Sequence, residues 1–467
     1  MEASISRTQR RRLAASRWSR PATRRIAALI SAWIIVAANA AEPTRIISLD
    51  PQGNPVGFGG QLQGISGNGR FVVLQSRALI PEDTSNQVQV YVYDLETDQA
   101  ELVSVQPNGE ASATSVVGYD SPHSRVISTD GRYVLFRTRA TDIVPGVNTN
   151  GVSQIYRRDR LTQTTEIVSL DNARIEAANA DVDEYTMDCT GQGIVFRTGA
   201  TNLDPLGQSG TFLHQADSPP GSTVVTRRAC VDVFGDPISC RNFSYGNGLL
   251  AFSSSNSDVS PDDPPGVDLF VGNVIAGNNI LLTKDVGTVA VSRSHSAPAS
   301  ACSGHRVAFR TNVNLFFNPD GNFVPQLYVV DTVSGQKIRV GNPDPTGAPV
   351  VDGSSNGRVS ISDNGWLIGF QSVLGMDPRD TNGVRDAYFI ELNSSFSAYQ
   401  FVYAGHWNDE PANGNGSLIP RIGNSGVVAF TSAATNSPPW PQTNGFGHVF
   451  VNTLNNQLSV IFRSGFE

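Results

Sequence analysis

A unit of about 60 residues is repeated seven times along this chain, and such a repeat restricts the fold more than any other feature. Its clearest copy, residues 127–136, reads ISTDGRYVLF: a glycine-containing turn and then a strand of alternating bulky residues. The last bulky residue of this strand is the anchor of each copy, and successive anchors are 56 to 62 residues apart. The seven anchors are Leu74, Phe136, Phe196, Phe252, Phe309, Phe370 and Phe430. One supersecondary unit therefore recurs along the chain.

Each copy predicts four short strands. Pairs such as Asn68-Gly69 and Asp130-Gly131 suit the positive φ of two-residue hairpin turns, so a hairpin should bend at this point. The aromatic residue of a second strand lies 16 to 20 residues after each anchor, as Tyr156 does, and a third strand closes most copies. One such sheet cannot bury both faces alone, but seven sheets stacked around an axis can.

We therefore predict an all-β fold, a seven-bladed β-propeller of four-stranded antiparallel blades. A pair of β-sandwiches or a solenoid is the alternative, although a solenoid would need distinct caps.

Residues 1–40 are predicted to be a signal peptide, and residues 41–467 a single propeller domain. Eight arginines precede the apolar run 26–38, and Ala38-Asn39-Ala40 offers an A-x-A cleavage site. The apolar run is short for a membrane span, so we expect cleavage and no membrane anchor. The expected location is the periplasm or the exterior of a bacterial cell.

Charge excludes two classes of partner. Removing the eight arginines and Glu2 of the predicted signal leaves 26 basic against 41 acidic side chains, a net charge of −15. Such a surface repels nucleic-acid phosphates and anionic membranes. We expect a monomer that binds neither.

The sequence offers two strands for closing the ring. Residues 44–56 look like the tail of a repeat whose beginning is missing, which predicts that the N-terminal strand joins the last blade. Residues 457–463 are a second candidate for the same outer position, and the sequence does not decide between them.

The copies resemble the TolB-like, WD-type propeller repeats of exported bacterial proteins. Segments 65–74, 127–136 and 361–370 carry the I-S-x-D/N-G-R-x-V-x-F pattern, and the last is followed by a D-T-N-G loop at 380–383 and an aromatic strand at Tyr388. The resemblance implies the fold and not the function, because related propellers serve as interaction platforms, as accessory domains of peptidases or as enzymes.

The chain has four cysteines, without the C-x-x-C spacing of a zinc site. Cys230 and Cys240 flank a short turn between one blade's outer strand and the next blade's inner strand. We predict that they form a disulfide, worth about 2–3 kcal/mol. Cys189 and Cys302 occupy one repeat position in blades two apart, which should separate them beyond the limit of about 7 Å between Cα atoms. We predict that both are buried free thiols.

The candidate binding residues lie where loops should converge at the channel mouth. Acids, an aromatic residue and a histidine occur near the starts of two inner strands, and a polar and aromatic cluster follows the sixth copy. An ordinary solvated loop is the alternative interpretation of that cluster. The predicted binding residues are Tyr119, Asp120, His123, Asp183, Glu184, His406, Trp407 and Asp409.

No catalytic signature is recognisable: the chain lacks a G-x-S-x-G elbow, a phosphate-binding glycine loop and an H-E-x-x-H zinc motif. We predict no cofactor. Acid-rich loops such as 380–383 could hold calcium, but side chains bonding their own backbone explain the same residues. The sequence thus favours non-catalytic binding of an envelope or secreted protein, or of a glycan. The alternative is a carbohydrate-active or other enzyme with acids and histidines at the channel mouth.

Overall fold

The computed structural model describes most of the chain after its first 43 residues. The described residues are 44–57, 59–116, 125–171, 176–216, 226–274, 276, 278–284, 295–313, 315, 325–340, 359–373, 381, 383–396, 398–403, 406–407, 410–411, 420–435, 447–454 and 461–463. The predicted signal peptide lies outside them. Ala40–Glu467 forms one compact unit.

The described residues form thirty strands, numbered here in chain order. The first is β1 (Arg45–Ile46), and blade 1 contains β2 (Gln61–Ile65), β3 (Phe71–Ser76), β4 (Gln89–Asp94) and β5 (Gln99–Leu102). Blade 2 contains β6 (Tyr133–Thr138), β7 (Gln154–Asp159) and β8 (Thr164–Ile167). Blade 3 contains β9 (Val182–Met187), β10 (Gly193–Thr198), β11 (Gly210–Gln215) and β12 (Thr226–Arg228). Blade 4 contains β13 (Arg241–Gly246), β14 (Leu249–Ser254), β15 (Asp268–Asn273) and β16 (Asn279–Leu281).

The remaining strands follow the same plan. Blade 5 contains β17 (Ala299–Ser300), β18 (Arg306–Thr311), β19 (Gln326–Asp331) and β20 (Lys337–Val340). Blade 6 contains β21 (Val359–Ile361), β22 (Leu367–Ser372), β23 (Asp386–Leu392) and β24 (Ala398–Tyr403), and the hairpin β25 (His406–Trp407) and β26 (Glu410–Pro411) comes next. Blade 7 contains β27 (Arg421–Ile422), β28 (Val427–Ser432) and β29 (His448–Thr453), and β30 (Ile461–Arg463) ends the series.

Seven antiparallel sheets make up the propeller, as the repeat predicted. Each is a meander whose first strand is innermost. In blade 2 the described part of the inner strand forms two isolated bridges, Val116 to Thr138 and Ile127 to Val134, beside the three-stranded sheet β6-β7-β8. The architecture is therefore a seven-bladed β-propeller of four-stranded blades.

The anchor residues are the centres of the blades. Each anchor phenylalanine lies directly opposite the aromatic residue of the next strand, as Phe196 does with Phe212, and the two rings stack with centroids 5.9 Å apart. In blade 1, Leu74 occupies this place opposite Tyr91. The buried clusters join neighbouring blades: Val195 of blade 3 and Phe252 of blade 4 belong to one cluster. Burial of each such side chain stabilises the ring by roughly 1.5–3 kcal/mol.

The glycine turns form hairpins, but the predicted two-residue geometry was wrong for some of them. In blade 4, Gly246 pairs with Leu249, so Asn247 and Gly248 form a two-residue turn with φ of 45° and 80°. In blade 2 the loop is longer, because Ser128 N donates to Tyr133 O across four residues. Ser128 Oγ donates to Asp130 Oδ1 at 2.6 Å and accepts from Tyr133 N at 3.0 Å. These side-chain hydrogen bonds pair the backbone groups of the wider turn, and the strand register does not require a tighter one.

The N-terminal strand closes the ring. β1 pairs with β29, with Arg45 opposite Val451 and Ile46 opposite Phe450, so it is the outer strand of blade 7. The C-terminal strand β30 pairs instead with β24 and adds a fifth strand to blade 6. Main-chain pairing between the N-terminal strand and blade 7 thus holds the first and last blades together.

The turns after the inner strands converge at one end of the central channel. Backbone hydrogen bonds join turns of different blades: Asn68 N to Thr129 O at 3.0 Å, Thr129 N to Cys189 O at 2.9 Å. A Cβ on Gly67 would lie 2.7 Å from Thr129, so these turns are in close contact. We call this end of the channel the closed end.

This convergence overturns the prediction for two cysteines. Cys189 and Cys302 are disulfide-bonded, with Cα atoms 5.6 Å apart, and not free thiols. The prediction used the separation of blades two apart. At the closed end that separation does not apply, because both turns lie beside the axis.

Candidate functional site

The structure describes only some of the predicted binding residues. Tyr119, Asp120, His123 and Asp409 lie outside the described residues. His406 and Trp407 form β25, where His406 pairs with Pro411 and Trp407 with Glu410 in a two-stranded hairpin.

Asp183 and Glu184 are placed in full. They lie at the start of β9, the inner strand of blade 3. Arg197 on β10 lies beside both carboxylates: its Nη2 is 2.8 Å from Asp183 Oδ2, and its Nε is 3.4 Å from Glu184 Oε1. The guanidinium therefore shares its charge between two acids of its own blade.

Glu184 connects blade 3 to blade 4. It is 8% exposed, and its Oε2 accepts a hydrogen bond from Asn242 N at 2.7 Å. Asn242 has a φ of 49° at the bulge in β13, so the carboxylate satisfies a backbone amide that the irregular strand leaves unpaired. Burial raises the pKa of Glu184, while the Asn242 amide and Arg197 oppose that rise. These contacts assign Glu184 to the blade junction.

A groove lies at this junction, beside Asp183. It has a volume of about 330 Å³, and Arg197, Thr198, Arg228 and Arg241 line it together with loop residues 237–239. We call it the blade 3–4 groove. Three guanidinium groups in one groove contrast with the acidic composition of the chain.

The arginines of the groove differ in how they are held. Arg228 forms an ion pair with Asp204, and its Nη1 donates to Ser209 O at 2.6 Å, so its side chain is fixed. Arg241 is exposed, and no hydrogen bond joins its side chain to another described residue. Arg241 can therefore donate to a molecule that enters the groove.

A disulfide-bonded loop forms one wall of the groove. Cys230 is bonded to Cys240, the predicted pair, with Cα atoms 6.4 Å apart. Inside the loop, Asp232 Oδ1 accepts from Phe234 N at 2.8 Å and from Asp236 N at 2.9 Å, which fixes the tip. Phe234 at this tip is 77% exposed. An ordered loop thus presents an aromatic ring to solvent, and the base of the same loop lines the groove with Arg241.

Sequence reasoning missed the arginines. A signal existed, because the residue after the anchor is arginine in three copies, at positions 137, 197 and 310. Arg310 is fully buried, and its Nη2 donates to Gln371 O of the next blade. The same repeat position therefore supplies blade-to-blade contacts as well as a groove residue.

His295, just before the inner strand of blade 5, is hydrogen-bonded within the protein. Its Nδ1 is 2.8 Å from Thr311 Oγ1, and its Nε2 is 2.8 Å from Val267 O. Both ring nitrogens have partners on blades 4 and 5. His295 thus stabilises a blade junction.

The described acid-rich loops satisfy their own backbone. Asp83 accepts from Ser85 N at 3.0 Å and from the Tyr91 hydroxyl, and Asn148 Oδ1 accepts from Asn150 N at 3.0 Å. The loop 374–380 and Asn382 lie outside the described residues. Cys189, Cys302 and Asp363 are close enough to share a metal ion, but both sulfurs belong to the disulfide.

Solved structures provide similar folds. The β-propeller domain of the Trilobed protease from Pyrococcus furiosus is 10% identical, with a TM-score of 0.47 over 87% of this chain and 96% of that one. Oligogalacturonate lyase from Vibrio parahaemolyticus is 11% identical, with a TM-score of 0.46 over 90% and 93%. TolB from Acinetobacter baumannii is 11% identical, with a TM-score of 0.34 over 86% and 80%.

No protein-family model and no curated protein matches the sequence. The blades themselves define the class: this chain is a seven-bladed β-propeller. It is similar to TolB and to other propellers in fold. In the described part of the chain, no helix has the length and hydropathy that a membrane crossing needs.

Proposed function

We propose that this chain is an exported β-propeller that binds another protein, without catalysis, through the blade 3–4 groove. The observation that carries the proposal is Arg241, an exposed guanidinium without a hydrogen-bond partner among the described residues, beside the fixed loop of Phe234. A carboxylate of the partner would pair with Arg241, and an apolar side chain would cover Phe234. Aromatic and arginine side chains are the residues that most often dominate interface energies.

Two features support export. The N-terminal 40 residues have the arginines, apolar run and A-x-A site of a signal peptide. The chain also contains two disulfides, which persist in oxidising compartments such as the periplasm. We therefore place the protein in the periplasm or outside the cell, where its partner would be an envelope or secreted protein.

The contacts of the two mouth acids favour binding over catalysis. Asp183 is paired with Arg197, and Glu184 is committed to the Asn242 amide. A general acid or base would need a proton position open to substrate. The enzyme alternative would therefore have to use other side chains at the mouth.

Affinity capture from envelope extract tests the proposal. The bait is residues 41–467, and bound proteins are identified by mass spectrometry. We expect a specific protein that is lost with Arg241→Ala and with Phe234→Ser. The matched controls are Lys284→Ala, which removes an exposed charge beyond the outer strand of blade 4, and Leu161→Ser, which removes an exposed apolar side chain in the β7–β8 turn.

Two results would overturn the proposal. One is a partner that binds all four variants as tightly as the wild type, because the groove would then be uninvolved. The other is turnover of a glycan or peptide substrate that Asp183→Asn or Glu184→Gln abolishes, because the mouth would then be catalytic.

A further inference from the structure

A second polar cavity lies at the closed end of the channel, away from the blade 3–4 groove. Its volume is about 60 Å³, and it is lined by inner-strand residues of several blades. One ordered water needs only about 10–15 Å³ of such space. The cavity therefore has room for several waters or for a small ion.

Among the described residues, the charged side chains of the lining are two arginines and one acid: Arg125, Arg421 and Asp363. Arg125 is fixed across the channel, with its Nη2 3.0 Å from Asp363 Oδ1 and its Nη1 donating to Tyr245 O at 2.7 Å. Arg421 is 9% exposed and has contacts of its own. The described lining thus has one more positive than negative side chain, and all three side chains are largely buried, which strengthens their electrostatic interactions.

A buried hydroxyl adds a hydrogen-bond donor. Ser360 is 5% exposed, lines the same cavity, and its Oγ has no hydrogen-bond partner among the described residues. Buried polar groups are seldom left unpaired, because the loss of their hydration is costly. A molecule in the cavity could accept from this hydroxyl.

We propose that the closed end of the channel binds a small monovalent anion, of the size of formate or chloride. The guanidinium groups supply the positive field, and the Ser360 hydroxyl donates to the anion. The turns that meet at this end and the Cys189–Cys302 disulfide limit the size of the ligand.

Calorimetric titration of residues 41–467 with sodium formate, and separately with sodium chloride, tests this at constant ionic strength. Sodium benzoate is the size control, because its ring exceeds the cavity. We expect saturable binding of formate or chloride and none of benzoate. Ser360→Ala should weaken binding roughly fivefold, the value of one hydrogen bond. Arg421→Gln should remove it.

Ser260→Ala is the matched control. Ser260 is also 5% exposed with an unpartnered Oγ, but it lies in the loop between β14 and β15 and does not line the cavity. Its substitution should leave the affinity unchanged. Equal effects of Ser360→Ala and Ser260→Ala would overturn the proposal, as would a wild-type protein that binds benzoate as well as formate, or binds neither formate nor chloride. If the Arg421→Gln variant fails to fold, the affinity of the folded Ser360→Ala variant still tests the proposal.

Discussion

Cys189 of blade 3 and Cys302 of blade 5 are disulfide-bonded although a whole blade separates them in the ring. Their Cα atoms are 5.6 Å apart, and 113 positions separate them in the sequence. The segment between them contains most of blade 3, the whole of blade 4 and the short disulfide loop of Cys230 and Cys240 that joins these two blades. Two crosslinks of very different loop length therefore stabilise the same part of the propeller.

The two disulfides should differ in their effect on stability. Chain entropy predicts a loss of about 5 kcal/mol in the free energy of unfolding when Cys189 and Cys302 are both replaced by serine. The same change at Cys230 and Cys240, only 10 residues apart, should cost about 3 kcal/mol. Urea denaturation of both double variants measures the difference, and an equal or reversed order would contradict it.

An anchor aromatic side chain should contribute far more to the free energy of unfolding than an exposed one. Phe196 is fully buried and stacked on Phe212, so Phe196→Ala should lower the free energy of unfolding by about 3–5 kcal/mol. Phe234→Ala removes the same ring from a solvent-exposed position and should change stability by no more than about 0.5 kcal/mol. Denaturant titration of both variants checks this. A similar loss in the two would mean that Phe234 is packed in solution.

Stability should respond to the ionisation of Glu184. Burial raises its pKa in the folded state above the ordinary 4.5, so ionisation is less favourable in the folded than in the unfolded chain. The stability that the protonated group contributes is complete below pH 4.5 and decreases as pH rises through the raised pKa. Arg197 and Arg241 oppose this shift, and Asp183 lies beside it.

Glu184→Gln removes the titration and keeps an acceptor for Asn242 N. The free energy of unfolding of the wild type, relative to that of the variant, should therefore decrease as pH rises above 4.5. Thermal unfolding between pH 4 and 8 measures it. Asp183→Asn is the control, because Asp183 is half-exposed at the same site. A difference that is constant with pH would contradict the prediction.

Truncation at the N-terminus of the chain should reduce stability more than truncation at the C-terminus. A chain that begins at Leu49 lacks β1 and the buried side chains of Ile46 and Ile47, and blade 7 loses its outer strand. We expect a loss of about 3 kcal/mol or more from these two side chains alone. A chain that ends at residue 460 loses only the fifth strand of blade 6 and should unfold close to the wild-type temperature. Greater damage from the C-terminal deletion would show that β30 closes the ring.

Much of the fold could be predicted because the repeat is local. The bulky residues that alternate before Phe136 and the glycine turn at Gly131 lie within ten positions of each other, and both identify a strand and its hairpin. Seven copies of that pattern require a shared core between sheets. The pairing of Cys230 with Cys240 could also be predicted, because only a short turn separates them in the sequence.

The site residues were less predictable, because their partners lie far apart in the sequence. The starts of inner strands placed Asp183 and Glu184 at the mouth, but nothing near Glu184 indicated the amide of Asn242. Arg197 and Arg241 form one groove only because β10 and β13 belong to neighbouring blades. Which arginine keeps a free guanidinium depends on those contacts.

The sequence by itself determined the blades: their number, the positions of their anchors and aromatic strands, and the short disulfide. Tertiary structure alone decided which terminal strand closes the ring, that Cys189 meets Cys302, and that Arg125 reaches Asp363 across the channel. Strands and turns follow from residues adjacent in the chain, whereas contacts at the axis depend on the closed ring. There the turns of non-neighbouring blades lie close to the axis and contact one another, as Cys189 and Cys302 do.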